Sequence, residues 1–176
     1  EFLQNRRAEK DFLLRRDEKY TAAHKEISAR AEKTLATLDG LIEAPATRAD
    51  RQAISEGYAA YRKSFATLAD ASIALGLDPS SGREGAMRSA VHSIEELLKT
   101  VDDKGLQVSM LMMRRHEKDF IMRRDAKYVA RHAEERAAFA SAPVDRFGGA
   151  ANQATILKAL DTYGKAFEDY AAIAET

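Results

Sequence analysis

A fifteen-residue segment rich in charge occurs twice in this chain, once as Arg6-Arg-Ala-Glu-Lys-Asp-Phe-Leu-Leu-Arg-Arg-Asp-Glu-Lys-Tyr20 and again as Arg114-Arg-His-Glu-Lys-Asp-Phe-Ile-Met-Arg-Arg-Asp-Ala-Lys-Tyr128. Self-similarity at this distance implies a structural repeat. Solvated helix faces exchange Lys, Glu, Gln and Arg freely, so a duplication blurs there first. Charges held this closely are restrained by pairing or by a ligand. A second pair of matching segments, Tyr61-x-Lys63-x-Phe65 and Tyr163-x-Lys165-x-Phe167, follows each copy.

The composition favours helices. Three prolines and nine glycines in 176 residues leave long uninterrupted stretches, and 45% hydrophobic with 32% charged residues is the balance of helical bundles. An all-α fold is predicted. The formal net charge of zero gives no reason to expect nucleic acid or an anionic membrane as partner. The absence of cysteine excludes disulfides and thiolate chemistry without choosing a compartment. No run approaches the roughly 18 apolar residues of a membrane-spanning helix. The chain opens inside a helical pattern, as expected of a piece cut from a longer membrane protein.

Apolar spacing predicts a first helix from Phe2 to Leu38, carrying Leu13, Tyr20, Ala23, Ile27, Ala31, Leu35 and Leu38 on one stripe. A second helix, with Thr47 as cap, carries Ile54, Tyr58, Tyr61, Phe65, Leu68, Ser72 and Leu75 and ends near Gly76. Asp78-Pro-Ser-Ser-Gly82 is the clearest breaker, and the chain should reverse there. From Glu84 to Ser141 no proline intervenes. This predicts one helix of about 85 Å at about 1.5 Å per residue, unless Val101-Asp-Asp-Lys-Gly105 divides it. A loop over Pro143 to Gly149 leads to a last helix from Asn152. Repeat 1 thus covers about 1–76, a connecting helix about 83–105, and repeat 2 about 106–176. The repeat unit reads as a helical hairpin, and two hairpins suffice for an antiparallel four-helix bundle, or for stacked bundle modules sharing long helices.

Extending the first stripe backwards carries charge into the seam: Arg6, Glu9, Arg16 and Tyr20 in one copy, Arg114, Glu117, Arg124 and Tyr128 in the other. Beside them run i, i+4 ladders, Arg7-Asp11-Arg15 and Arg115-Asp119-Arg123. The ladders suit structural ion pairs. The seam residues Arg6, Arg16, Tyr20, Arg114, Arg124 and Tyr128 are the candidate ligand site, because a guanidinium donates two parallel hydrogen bonds to a carboxylate and keeps its charge when partly desolvated. Other candidates are weaker. His24, His92, His116 and His132 are scattered, and His92 beside Glu95 or Glu96 reads as a surface hydrogen bond. Met110, Met112 and Met113 read as core. Neither a nucleophile elbow nor a phosphate loop occurs, Gly82-Arg-Glu-Gly85 lacking the Lys that would follow. No enzyme, metal or cofactor is predicted.

The doubled Arg-Arg-x-Glu-Lys-Asp-Phe-x-x-Arg-Arg-Asp stretches, with Gly82-Arg-Glu-Gly-Ala-Met-Arg-Ser-Ala-Val-His-Ser-Ile-Glu95 between them, resemble the helical bimodular sensor domains of bacterial chemoreceptors and sensor kinases. The resemblance covers most of residues 6 to 170. It implies an extracytoplasmic, periplasmic domain held between two transmembrane helices, dimeric, with small organic acids as ligands. The family's domain is longer than this chain. Two expectations follow: a sensor in which a small carboxylate gripped by arginines biases helix packing, or a ligand-free stalk or interaction module whose charged layers set register and dimer pairing.

Overall fold

The computed structural model describes residues 1–174; the last two residues of the second repeat, 175 and 176, lie outside them. Seven α-helices and one 3₁₀ turn account for the described chain, an all-α fold: α1 (Phe2–Arg15), α2 (Lys19–Asp39), α3 (Pro45–Leu75), α4 (Gly82–Lys99), α5 (Lys104–Arg123), α6 (Lys127–Ala140), the 3₁₀ turn Val144–Phe147, and α7 (Ala150–Ala174). The breaker at 78–82 separates α3 from α4. Asp78 Oδ1 accepts from the Ser80 N–H at 2.7 Å, and Gly76 and Gly82 take positive φ where their backbones meet.

Both long helices are corrected. The helix predicted over Phe2–Leu38 is a hairpin, α1 and α2, that turns at Arg16. Arg16 adopts the left-handed conformation (φ 51°), and its N–H donates to the Phe12 carbonyl at 2.7 Å. Asp17 Oδ1 then accepts the Lys19 N–H at 2.9 Å and starts α2. The 84–141 helix breaks twice. Asp103 caps α5 by accepting from the Leu106 N–H at 2.8 Å, the division the Val101–Gly105 stretch allowed. A second corner follows at Arg124 (φ 53°), with Arg124 N–H to the Phe120 carbonyl at 2.8 Å and Lys127 N–H to Asp125 Oδ1 at 3.0 Å. Arg-Arg-Asp-x-Lys is therefore a helix corner in both copies. A left-handed arginine costs about 1–2 kcal/mol relative to the helical region, and neither glycine nor proline announces the turn.

The corner also changes which residues face inward. With α1 and α2 folded against each other, the buried face of α1 is Asn5, Ala8 and Phe12, and that of α2 is His24, Ser28 and Ala31. Leu13 and Leu38, placed on a continuous stripe by the sequence reading, are exposed.

Two compact units result, Glu1–Ile73 and Ala74–Thr176. Unit 1 holds the α1/α2 hairpin and nearly all of α3. Hydrogen bonds link Asn5 with Ser28 and with Tyr58, and Phe12 meets Phe65, so α2 runs antiparallel and α3 parallel to α1. Unit 2 packs four helices. The α5/α6 hairpin and α7 repeat the arrangement of unit 1, and α4 lies along α7, its first turn tied to the end of α7 by Arg83–Asp169 at 3.1 Å. The connecting helix of the sequence reading is thus a full member of unit 2. Within unit 2 itself the helices number four.

Candidate functional site

Folding brings the two copies to the same internal design. In unit 1 the Tyr61 hydroxyl donates to Glu9 Oε2 at 2.7 Å; in unit 2 the Tyr163 hydroxyl donates to Glu117 Oε2 at 2.7 Å. Phe12 meets Phe65 edge-on at 5.9 Å and 88°, as Phe120 meets Phe167 at 5.7 Å and 89°. His24 lies 4.1 Å from the Phe65 ring, and His132 lies 4.4 Å from the Phe167 ring. Each unit therefore contains one Glu, one Tyr, one His and two Phe from three helices. The two histidines, read from sequence as scattered, stand at the same offset of 108 residues as the charged motif, and that offset was the signal available.

The same positions sit in different environments. Glu117 is buried, and its carboxyl is pushed above the usual range by that burial, the Tyr163 hydrogen bond and Arg114 pulling the other way. His132 is buried too, and burial with Arg136 and His116 nearby lowers it to about 3; its Nε2 has no hydrogen-bond partner. In unit 1, Glu9 is only part-buried and carries a bidentate partner, Arg6 Nη1 lying 2.7 Å from both of its oxygens. His24 is also lowered by burial, with Glu9 opposing and Arg62 adding to the shift, but its ring is hydrogen-bonded. Nε2 lies 3.2 Å from the Tyr61 hydroxyl and Nδ1 lies 3.5 Å from Ser28 Oγ.

A groove of about 650 Å³ opens between α2 and α3 directly over this layer, with Thr21, His24, Lys25, Ser28, Arg62 and Lys63 among its walls. Its counterpart in unit 2 is filled by the protein itself. There Arg136 stands where Ser28 stands in unit 1, and its guanidinium occupies the space a side chain on Gly164 would take. Glu168 pairs with it at 2.6 Å. Unit 1 reverses these residues: Arg62 replaces Gly164, Ala66 replaces Glu168, and Arg62 pairs with Glu32 across the groove. What remains of the unit 2 groove is about 250 Å³, lined largely by Ala133, Ala137, Ala140, Leu157 and Leu160.

The groove of unit 1 suits an anion. Among the described residues Lys25 and Lys63 have no ion-pair partner, and Thr21 and Ser28 add hydroxyls. Asp70 is the acidic residue on its wall that is not already held by an arginine. Lysines of this kind attract a carboxylate as point charges, and the hydroxyls orient it.

The six seam residues do not converge on this groove. Arg6 is turned to Glu9, and Arg114 lies 3.6 Å from Glu117. Arg16 and Arg124 are the two corner residues, with exposed side chains; Arg16 follows Arg6 by ten residues, about 15 Å along a helix. Arg124 covers the rings of Phe120 and Tyr170. Tyr20 and Tyr128 pack under Arg15 and Lys19 and under Arg123, Lys127 and Arg131. Arg7 and Arg15 flank Asp11 at 3.8 and 3.3 Å, and Arg115 and Arg123 flank Asp119 at 3.9 and 3.3 Å. His92 bonds Glu95 on the surface at 3.2 Å. Among the described residues no three His, Asp or Glu side chains group as a metal site, and no helix is long and apolar enough to cross a membrane. No protein-family model matches the chain, and neither a curated protein nor a solved structure matches it.

Proposed function

We propose that this chain is a non-enzymatic ligand-sensing domain that binds a small organic acid in the α2/α3 groove of unit 1. The observation that carries the reading is the difference between the two copies: one groove is closed by its own Arg136–Glu168 pair, while the other is open and lined by unpaired lysines. A bound carboxylate would meet Lys25, Lys63, Ser28 and Thr21, taking the place that an internal ion pair takes in unit 2. The arginines of the duplicated motif then act at a distance, Arg6 by holding Glu9 and Arg16 by forming the corner. A ligand bridging α2 and α3 favours one spacing of these helices over another, and this differential is the free energy available for a signal. The sequence resemblance adds the setting: the periplasmic part of a homodimeric chemoreceptor or sensor kinase anchored by flanking membrane helices, with output by a small helix shift.

Acetate, succinate and citrate, added separately, test the reading through the melting temperature. At least one is expected to raise it, and Lys25→Ala with Lys63→Ala is expected to remove the rise without lowering the melting temperature of the free protein. No rise with any of the three rejects ligand sensing. The ladder pairs favour the stalk reading, since Asp11 and Asp119 engage their own helices whatever the groove contains. On that reading the lysine replacements change nothing that a carboxylate changes.

A further inference from the structure

Six side chains of unit 1 form one hydrogen-bonded chain with a defined direction. Arg6 holds Glu9 as a carboxylate acceptor at 2.7 Å. Tyr61 spends its single proton on Glu9 Oε2 at 2.7 Å, so its oxygen is left to accept from His24 Nε2–H at 3.2 Å. A neutral imidazole with its proton on Nε2 has a bare Nδ1. That atom faces Ser28 Oγ at 3.5 Å, whose oxygen already accepts from Asn5 Nδ2 at 2.8 Å, so the Ser28 proton points to His24. Every donor between Asn5 and Glu9 is committed, and the last one turned toward the groove is the Ser28 hydroxyl.

A carboxylate entering the groove accepts hydrogen bonds and gives none. To donate to it, Ser28 must rotate its proton away from His24, which leaves the buried Nδ1 unsatisfied. One proton from solvent restores the balance. His24 becomes an imidazolium, Nδ1–H donates to Ser28 Oγ, Ser28 donates to the carboxylate, and Nε2–H still donates to Tyr61. Ser28 then uses both acceptor positions, for Asn5 and His24, and its one donor.

We propose that His24 is the proton-coupled element of the ligand site, taking up one proton each time a carboxylate binds beside Ser28. The proposal rests on the groove being the carboxylate site. The groups facing His24 set the direction. From α1, Glu9 favours the imidazolium; Arg6, which holds Glu9, reduces that effect. From α3, Arg62 and Lys63 oppose it and Tyr61 accepts from it; from α2 itself, Lys25 opposes it. Burial and Arg62 lower His24 and so favour its neutral ring, and a bound anion reverses the sign of the nearest charge. His24 therefore titrates higher with ligand than without. Affinity is greatest below the free value, falls through the window between the two, and levels off above the bound value, with a slope of about tenfold per pH unit inside it. Unit 2 has no such coupling, because Arg136 stands in place of Ser28 and His132 Nε2 lacks a partner.

Isothermal titration calorimetry with acetate, succinate and citrate, in buffers of different ionisation enthalpy between pH 6 and 8, measures the proton count directly. The expected result is uptake approaching one proton per bound probe, and uptake near zero for His24→Gln when saturated with the same probe, whatever its affinity. Nitrogen-15 imidazole spectra of the unaltered protein provide the second readout, independent of any variant: His24 is expected as the Nε2–H tautomer alone and as imidazolium with the probe. Binding without proton uptake, or a His24 ring unchanged by the probe, overturns the proton coupling and leaves the ligand-sensing reading intact. Failure of all three probes to bind overturns both.

Discussion

Units 1 and 2 are built from the same repeat and bury it to different depths. Ile156 and Tyr170 of α7 are 1% and 4% exposed, while Ile54 and Leu68, at the matching positions of α3, are 52% and 45% exposed. The difference follows from α4, which lies along α7, whereas among the described residues α3 has no helix packed on it in that way. Depth then decides chemistry. In unit 2 the Glu–Tyr–His layer is buried, with Glu117 pushed up and His132 pushed down by that burial. In unit 1 the same layer is half open, holds an ion pair and a hydrogen-bonded histidine, and borders a groove. A duplicated motif thus serves as core in one copy and as the floor of a candidate site in the other.

The largest expected difference is in acid. A histidine whose folded value is depressed stabilises the fold above its ordinary value of about 6.5 and loses that contribution as the pH falls toward the folded value of about 3. Unit 2 should lose on the order of 4 kcal/mol through His132 between these limits. Glu117 runs the opposite way: its raised value makes its contribution complete at low pH and lost as the pH rises through it. Circular-dichroism melts from pH 8 to 3 should therefore fall steeply below pH 6.5, and His132→Gln should flatten that limb. An unchanged limb would mean that His132 is not the buried group it is described as.

Next in size is the burial contrast itself. Ile156→Ala is expected to cost about 3 kcal/mol as a fully buried truncation, and Ile54→Ala below about 0.5 kcal/mol as an exposed one. Equal costs in denaturant unfolding would show that α3 is covered in solution as α7 is. The tyrosines give a smaller pair. Tyr163→Phe leaves the buried Glu117 carboxyl short of its donor, at about 2 kcal/mol. Tyr61→Phe should cost about 1 kcal/mol, since Arg6 still binds Glu9 and the loss falls on the His24 Nε2–H, whose acceptor lies at 3.2 Å. The smallest effect treats both units alike. Arg16→Gly and Arg124→Gly should each change stability by less than about 1 kcal/mol, since relief of the left-handed corner is offset by loss of the arginine's own contacts. Destabilisation by either would show that the corner arginine contributes more through its side chain than its backbone costs.

The helical class, the repeat, the helix break at Asp78–Gly82 and the two matching ladders were legible in the sequence, because each depends on spacing within one segment. The corners at Arg16 and Arg124 were not. Their signature is a hydrogen bond from a left-handed arginine and an aspartate turn, in a stretch without glycine or proline. Missing them carried the apolar stripe past the turn and placed Arg16 and Arg124 on a seam they do not line. Likewise His24 and His132 share an offset, but their equivalence acquires meaning only when three helices bring Glu, Tyr and Phe around each ring.

By itself, the sequence determined that this protein is helical, that it contains one design twice, and that paired charges run along the helices of both copies, since local periodicity and i, i+4 reach suffice for all three. Tertiary structure alone decided where the chain turns, which copy is sealed and which is open. Burial is a property of what packs on a helix, and α4 packs on α7. The groove, too, is a property of pairs across helices: Arg136 over Gly164 closes one, and Ser28 opposite Arg62 leaves the other open.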